Sequence, residues 1–200
     1  MKLNLIVFFL SFVFFTSGVH AHTFTGMVGF YDGLSHPVLG IDHFLAMVSV
    51  GIVSAQIGGR AIWTIPATFV LMMIIGGTIG MLIEVFFFNL EEPAFIVVEY
   101  GIVFSVILLG LAIAIEKKIA TNIIILFICI FGMCHGLAHG MEMPWAVNPI
   151  LFALGFASGT ATLHLFGVGI GSLAIKTKFS SIFLRIVGFG CALFGISLLI

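Results

Sequence analysis

The sequence predicts an all-α integral membrane protein: a cleaved signal peptide followed by a six-transmembrane-helix bundle, N-out/C-out. Three observations predict it. Hydrophobic residues fill 62% of the 200 positions and charged residues only 8%, against about a quarter charged in soluble domains. Apolar stretches of about 20 residues recur six times after the leader, each long enough as helix to cross ~30 Å of hydrocarbon. Finally, after the leader, Lys and Arg fall only on alternate connections or at the start of the last helix, the pattern of a multi-pass chain. A formal net charge of -1 and 23 Phe remove any case for a nucleic-acid partner, which would need a basic surface. Cys129, Cys134 and Cys191 have neither the spacing of a disulfide framework nor that of a thiolate zinc site, and read as small apolar helix residues.

In chain order, Lys2, the apolar run from Leu3 to Phe15 and Val19-His20-Ala21 have the three-part layout of a secretory signal. The expected division is therefore a signal peptide over 1–21 and a transmembrane domain over 22–200, the alternative being an uncleaved signal anchor. The six spans are placed at about 37–57, 63–88, 95–115, 119–140, 149–174 and 181–200, each as helix. Connections such as Gly58-Gly59-Arg60, Asn89-Leu90-Glu91-Glu92 and Glu116-Lys117-Lys118 are short and polar, so consecutive helices run antiparallel. Arg60, Lys117, Lys118, Lys176, Lys178 and Arg185 fall on one set of connections or at the start of the last helix, whereas Asp32, Glu91, Glu92 and Glu142 fall on the other. The positive side is the inner one. Trp63 and Trp145 stand at span ends as interfacial anchors. Pro37, Pro93 and Pro149, evenly 56 residues apart, are read as opening the helices that enter from outside. Side-chain identity between the three segments is poor, so no repeat is assigned.

Ionisable groups are expensive in hydrocarbon, and each one inside a span marks a pathway, a cofactor or a buried pair. Here they cluster. The first span carries His36, Asp42 and His43, the second Glu84, the third Glu99, the fourth His135 and His139, and the fifth His164. All but His164 fall in the outer half. His36 and His43, seven apart, stand nearly two turns from each other on one helix, and His135 and His139, four apart, stack on one face. Neutral imidazoles at that spacing can share a metal ion. Imidazole with carboxylate and no thiolate suits nickel, cobalt or zinc, whereas calcium or magnesium asks for oxygen alone and copper(I) for sulfur.

Simpler readings exist for single residues. A lone intramembrane His such as His164 is more often a partner in a hydrogen bond between helices than a ligand. Glu84 can snorkel to the interface, His36 can cap its helix, and Met47 and Met81 serve as core fillers. The set is harder to explain by packing, which Leu would serve better. Gly132, Gly136 and Gly140 bracket His135 and His139, and Gly76 with Gly80 and Gly155 with Gly159 form similar small-residue pairs. Such ridges let helix backbones approach and draw ligands together.

The segment His36-Pro37-Val38-Leu39-Gly40-Ile41-Asp42-His43-Phe44-Leu45-Ala46-Met47 resembles the HPxxGxDHxLAM signature of the HupE/UreJ family of nickel or cobalt permeases. Gly59-Arg60-Ala61-Ile62-Trp63, Val98-Glu99, His135-Gly136-Leu137-Ala138-His139-Gly140-Met141-Glu142 and Thr162-Leu163-His164 fit as well, and the resemblance covers the mature chain. It implies that His36, Asp42, His43, His135 and His139 handle the metal, with Glu99 and His164 contributing. It further implies a multi-pass protein of the bacterial inner membrane and a functional link to hydrogenase or urease maturation. Cys134 stands where the family pattern expects an aromatic, an added soft donor beside His135.

The expected activity is uptake of Ni2+ or Co2+ from the outer face through an imidazole and carboxylate cluster, with release inward past His164. The partners are then the ion and the bilayer, and no cofactor is permanently bound, Zn2+ being a possible further cargo. No GxxxxGK[ST] motif occurs, so no phosphate-binding loop for ATP is expected. The main rival is an intramembrane zinc-dependent hydrolase built on His135 and His139 with Asp42 or Glu99 as base. A haem carrier with axial His pairs is the second. A retinal protein is disfavoured because no Lys lies mid-span.

Overall fold

The computed structural model describes residues 29–86, 92–115, 119–143 and 148–200. The expected signal peptide, Trp145 and the Glu116-Lys117-Lys118 connection lie outside them. The described residues form seven helices: α1 Gly29–Leu39, α2 Ile41–Ile57, α3 Ala61–Phe86, α4 Glu92–Ile115, α5 Thr121–Met141, α6 Pro149–Ala174 and α7 Lys178–Ser197. Five of these are long and apolar enough to cross a membrane, and α1 with α2 make a sixth if that bent pair is one span. The outward surface is oily. Leu71, Phe86, Val97, Leu126, Phe166, Ile186 and Phe189 are all exposed, a contiguous apolar exterior that water does not tolerate but lipid does.

The first span departs from the expected single helix opening at Pro37. In the structure Pro37 sits inside α1, and α2 begins only after Gly40, with an 81° bend between the two helices. Gly40 is extended, at φ -81° and ψ 118°. The cause is local: Pro37 withholds an N–H and crowds the preceding turn, and Gly is the poorest ordinary residue for holding helix. Asp42 then falls in the first turn of α2, where a carboxylate suits the positive helix end. Of the other two prolines, Pro149 does open α6, capped by Asn148, whose Oδ1 accepts from the N–H groups of Ile150 and Leu151 at 3.0 and 3.2 Å. Pro93 is the second residue of α4.

Glycine seams hold the bundle. Along α3 and α5, Gly76 and Gly80 interlock with Gly136 and Gly140. A Cβ on Gly136 would stand 2.1 Å from the Met73 carbonyl oxygen, and one on Gly140 2.2 Å from that of Gly77. Gly33 of α1 meets α6 beside Phe152, Gly155 receives the Phe30 carbonyl, and Gly51 of α2 lies against the carbonyl of His164. Between hydrocarbon-bathed helices there is no hydrophobic driving force, so such close backbone packing supplies much of the association. Gly58 and Gly59, at φ 78° and 57°, make the turn from α2 to α3 in a region other residues rarely adopt. The carbonyls at the end of α4 are taken up by side chains: Gln56 Nε2 donates to Ile113 at 3.4 Å and Arg185 Nε to Ala114 at 2.8 Å, a cation where the helix dipole favours one.

Candidate metal centre

The bend at Gly40 assembles the site. On one straight helix, His36 and His43 would be about 10.5 Å apart along the axis. Turned through the bend, their ring centroids are 6.0 Å apart. The α5 pair meets them: His139 lies 4.3 Å from His36 and 4.6 Å from His43, and His135 lies 5.2 Å from His43. Four imidazoles from three helices thus form one continuous group. His43, His135 and His139 are buried. On the α6 side the group is walled by aromatic rings, with Phe156 at 4.6 Å from His139 and 5.9 Å from His36, and Phe152 stacked on Phe156. That wall shields the group from water and offers no hydrogen-bonding atom of its own.

The hydrogen bonds fix which nitrogens face the interior of the group. His43 Nδ1 is 2.8 Å from Asp42 Oδ1, which also accepts the His43 backbone N–H at 2.8 Å. His135 Nδ1 is 2.8 Å from the Phe131 carbonyl oxygen. A carboxylate and a carbonyl only accept, so both Nδ1 atoms carry the proton and each Nε2 keeps its lone pair. Those Nε2 atoms are buried without a hydrogen-bond partner, as are both ring nitrogens of His139. Buried polar atoms are rarely left so. Imidazoles oriented through one nitrogen and bare at the other are the arrangement in which protein groups position a metal ligand. Gly40 leaves room for it, since a Cβ there would stand 3.0 Å from His43 Nδ1 and 3.2 Å from Asp42 Oδ1.

One carboxylate that the residue-by-residue reading set apart from the metal residues joins this group. Glu142, assigned to an outer connection, follows α5 directly, and its Oε2 is 3.7 Å from His139 Nδ1. Ligand atoms of His36, His139 and Glu142 all lie within 4.8 Å of one another. Ligands on opposite sides of an ion bound at about 2.1 Å stand ~4.2 Å apart, so small side-chain rotations would close the three on one ion. The i, i+3 spacing from His139 was the available signal.

The remaining candidates are placed differently. Glu99 is half-buried on α4, near enough to feel the charges of Glu142, His43 and Asp42. Two residues on, Gly101 of the same helix receives the Cys134 sulfur of α5. Cys134 is thus lodged against α4, about 100° round the helix from His135. Glu84 is half-buried near the end of α3. His164 stands apart from the four-imidazole group: α6 crosses α2 at Gly51, eight residues and about 12 Å beyond His43. The Phe69 ring fills the interval, edge-on to both His135 and His164 with centroids 5.2 Å from each. Nothing in the sequence singles out this Phe from the other 22 of its 23.

The HupE / UreJ protein family model matches residues 10–198. The chain belongs to the HupE/UreJ family. Protein HupE of Rhizobium leguminosarum bv. viciae is 36% identical over 200 residues, covering the whole of both chains. No solved structure matches the chain. The segments that resemble the HupE/UreJ signature form the bend at Gly40 and the last two turns of α5, and their imidazoles meet in space.

Proposed function

We propose that this protein takes up Ni2+ or Co2+ across the bacterial inner membrane, receiving the ion from the periplasmic side on His36, His139 and Glu142 and passing it to His43 and His135. Zn2+ is admissible by the same donors. The observation that carries the reading is that His43, His135 and His139 bring buried ring nitrogens without a hydrogen-bond partner into one connected group. Membership of a family of nickel and cobalt transporters supports the cargo. In this reading residues 1–21 are a removed signal peptide, residues 22–200 form one transport domain, both mature ends are outside, and Arg60, Lys176 and Lys178 face the cytoplasm. Glu99 helps balance the charge of the ion, and His164 receives it further in. A link to hydrogenase or urease maturation would make those enzymes the consumers of the metal.

The geometry speaks against the rivals. A zinc hydrolase needs a carboxylate poised to activate water, and Asp42 Oδ1, on one of its two candidate bases, is instead engaged twice by His43. A haem needs a slot between its axial His, whereas these rings touch at 4.3 to 6.0 Å. The test is accumulation of radiolabelled Ni2+ and Co2+ by cells expressing wild type, His43→Ala or His135→Ala. Wild type accumulates at least one ion and both variants fall to background. Normal uptake by the variants, or none by wild type, contradicts the proposal.

A further inference from the structure

Asp32 is the one carboxylate of α1, and the site as described makes no use of it. Its Oδ1 is buried and accepts no hydrogen bond. A carboxylate in the first turn of a helix commonly caps it by accepting from the free N–H groups there. This oxygen accepts from none of them. The Ser35 hydroxyl donates to the backbone carbonyl of Asp32 at 3.3 Å and leaves that oxygen alone. What the side chain faces follows from the helix. Gly29, Gly33 and Pro37 are the buried residues of α1, the stripe turned to α6. Asp32 and His36, four apart, lie about 40° from each other on a second stripe beside it, with Cβ atoms about 6 Å apart. His36 carries that stripe to His139, its ring centroid 4.3 Å away. The α6 seam gives the depth. A Cβ on Gly155 would meet the Phe30 carbonyl oxygen and one on Gly159 would stand 2.6 Å from that of Leu34, so α1 and α6 run in the same direction. Asp32 therefore stands beside the opening two turns of α6, one turn outward of His36. Glu142, directly after α5, is at the same outer side of the imidazole group.

We infer that Asp32 is the entry carboxylate of the metal path, drawing a divalent ion to the mouth of the imidazole group and holding it, through a bound water, as it passes onto His36 and His139. The inference rests on the transport reading and adds to it a fourth residue at the outer site. The donor atoms of His36, His139 and Glu142 lie within 4.8 Å of one another, and the two imidazoles must be neutral to bind. Glu142 then supplies the single negative charge among the three. A divalent ion held by them keeps one positive charge uncompensated, which is costly beside the Phe152 and Phe156 rings that face His36. Asp32 compensates it. The order of donors also suits entry. An arriving ion is hydrated, and a carboxylate one turn outward can hold it by charge across a water before the nitrogens displace its shell. His139, 4% exposed with both ring nitrogens bare, is the group onto which it moves.

The test uses the full chain in liposomes that enclose a nickel-sensitive dye, with initial rates measured against external Ni2+, and calorimetric Ni2+ binding by the same proteins in lipid nanodiscs. Removing one negative charge ~6 Å from a divalent ion weakens its binding about tenfold in a water-like medium. Asp32→Asn should therefore raise the half-saturating Ni2+ concentration and the dissociation constant by about that factor, the loss falling on entry at low Ni2+ rather than on the rate at saturation. Asp32→Glu keeps the charge and should restore both. A purely structural role predicts another pattern: a lowered unfolding temperature, a lowered rate at saturation and no rescue by the larger Glu. Half-saturation and affinity equal to wild type in Asp32→Asn, or a loss that Asp32→Glu does not restore, overturns the entry carboxylate while leaving uptake through the imidazoles standing. Wild type with no flux above protein-free liposomes overturns the transport reading itself, and the inference with it.

Discussion

At the scale of single residues, Asp42 and the Phe131 carbonyl do the same work for different rings. Each holds an Nδ1–H at 2.8 Å and so turns the Nε2 lone pair of His43 or His135 inward. Asp42 is therefore a positioning residue in this structure before it is anything else. Asp42→Asn keeps the shape but offers a neutral, ambivalent amide, and nickel affinity measured by calorimetry should fall about 10–100-fold, as for other outer-shell partners of metal-binding His. Fold and thermal stability should hardly change. An affinity equal to wild type would mean that His43 needs no orienting partner. Glu142→Gln should weaken binding as well, since it removes the one carboxylate among the three donor groups that lie within 4.8 Å.

At the scale of elements, the decisive feature is a broken helix. The types of residue in the site were legible as motifs, and so was the pairing of His135 with His139, because i, i+4 spacing is a property of any helix. The approach of His36 to His43 was not. It depends on an 81° bend at Gly40, and a Pro three residues before a Gly reads equally well as a helix start. The short α1 also escaped because its burial comes from α6, at Gly33, Gly155 and Gly159, a tertiary contact with no local periodicity. The ridge on α5, by contrast, was visible and packs as such seams do. Gly136→Ala would place its Cβ 2.1 Å from a backbone oxygen and should cost about 1–3 kcal/mol or more, seen as a lowered unfolding temperature in detergent. Gly169→Ala and Gly190→Ala, with nothing within 4 Å, should leave that temperature at or slightly above wild type, since Ala is the better helix former.

At the scale of the whole molecule, the few charges divide the bundle into two ends. Arg60, Lys176 and Lys178 stand at the turns after α2 and α6, while Asp42 and Glu142 stand at the opposite end with the imidazoles. The rough limits of the five long helices, α3 to α7, were readable from hydropathy because bilayer thickness imposes them. Which helices touch was not readable, since glycine seams pair α3 with α5 and α2 with α6 across the sequence order. The orientation can be checked by labelling. In a background with Cys129, Cys134 and Cys191 replaced by Ala, Tyr31→Cys should react with an impermeant thiol reagent applied to spheroplasts. Arg60→Cys should react only after the membrane is opened, and the reverse pattern would invert the topology.

The central claim is that a divalent ion moves through the imidazole group, and flux in a defined system tests it most directly. Protein reconstituted into liposomes that enclose a nickel-sensitive dye should admit Ni2+ or Co2+ at a rate well above protein-free liposomes. His43→Ala and His135→Ala, inserted to the same level, should match the protein-free rate. Flux through the variants equal to wild type would contradict the account.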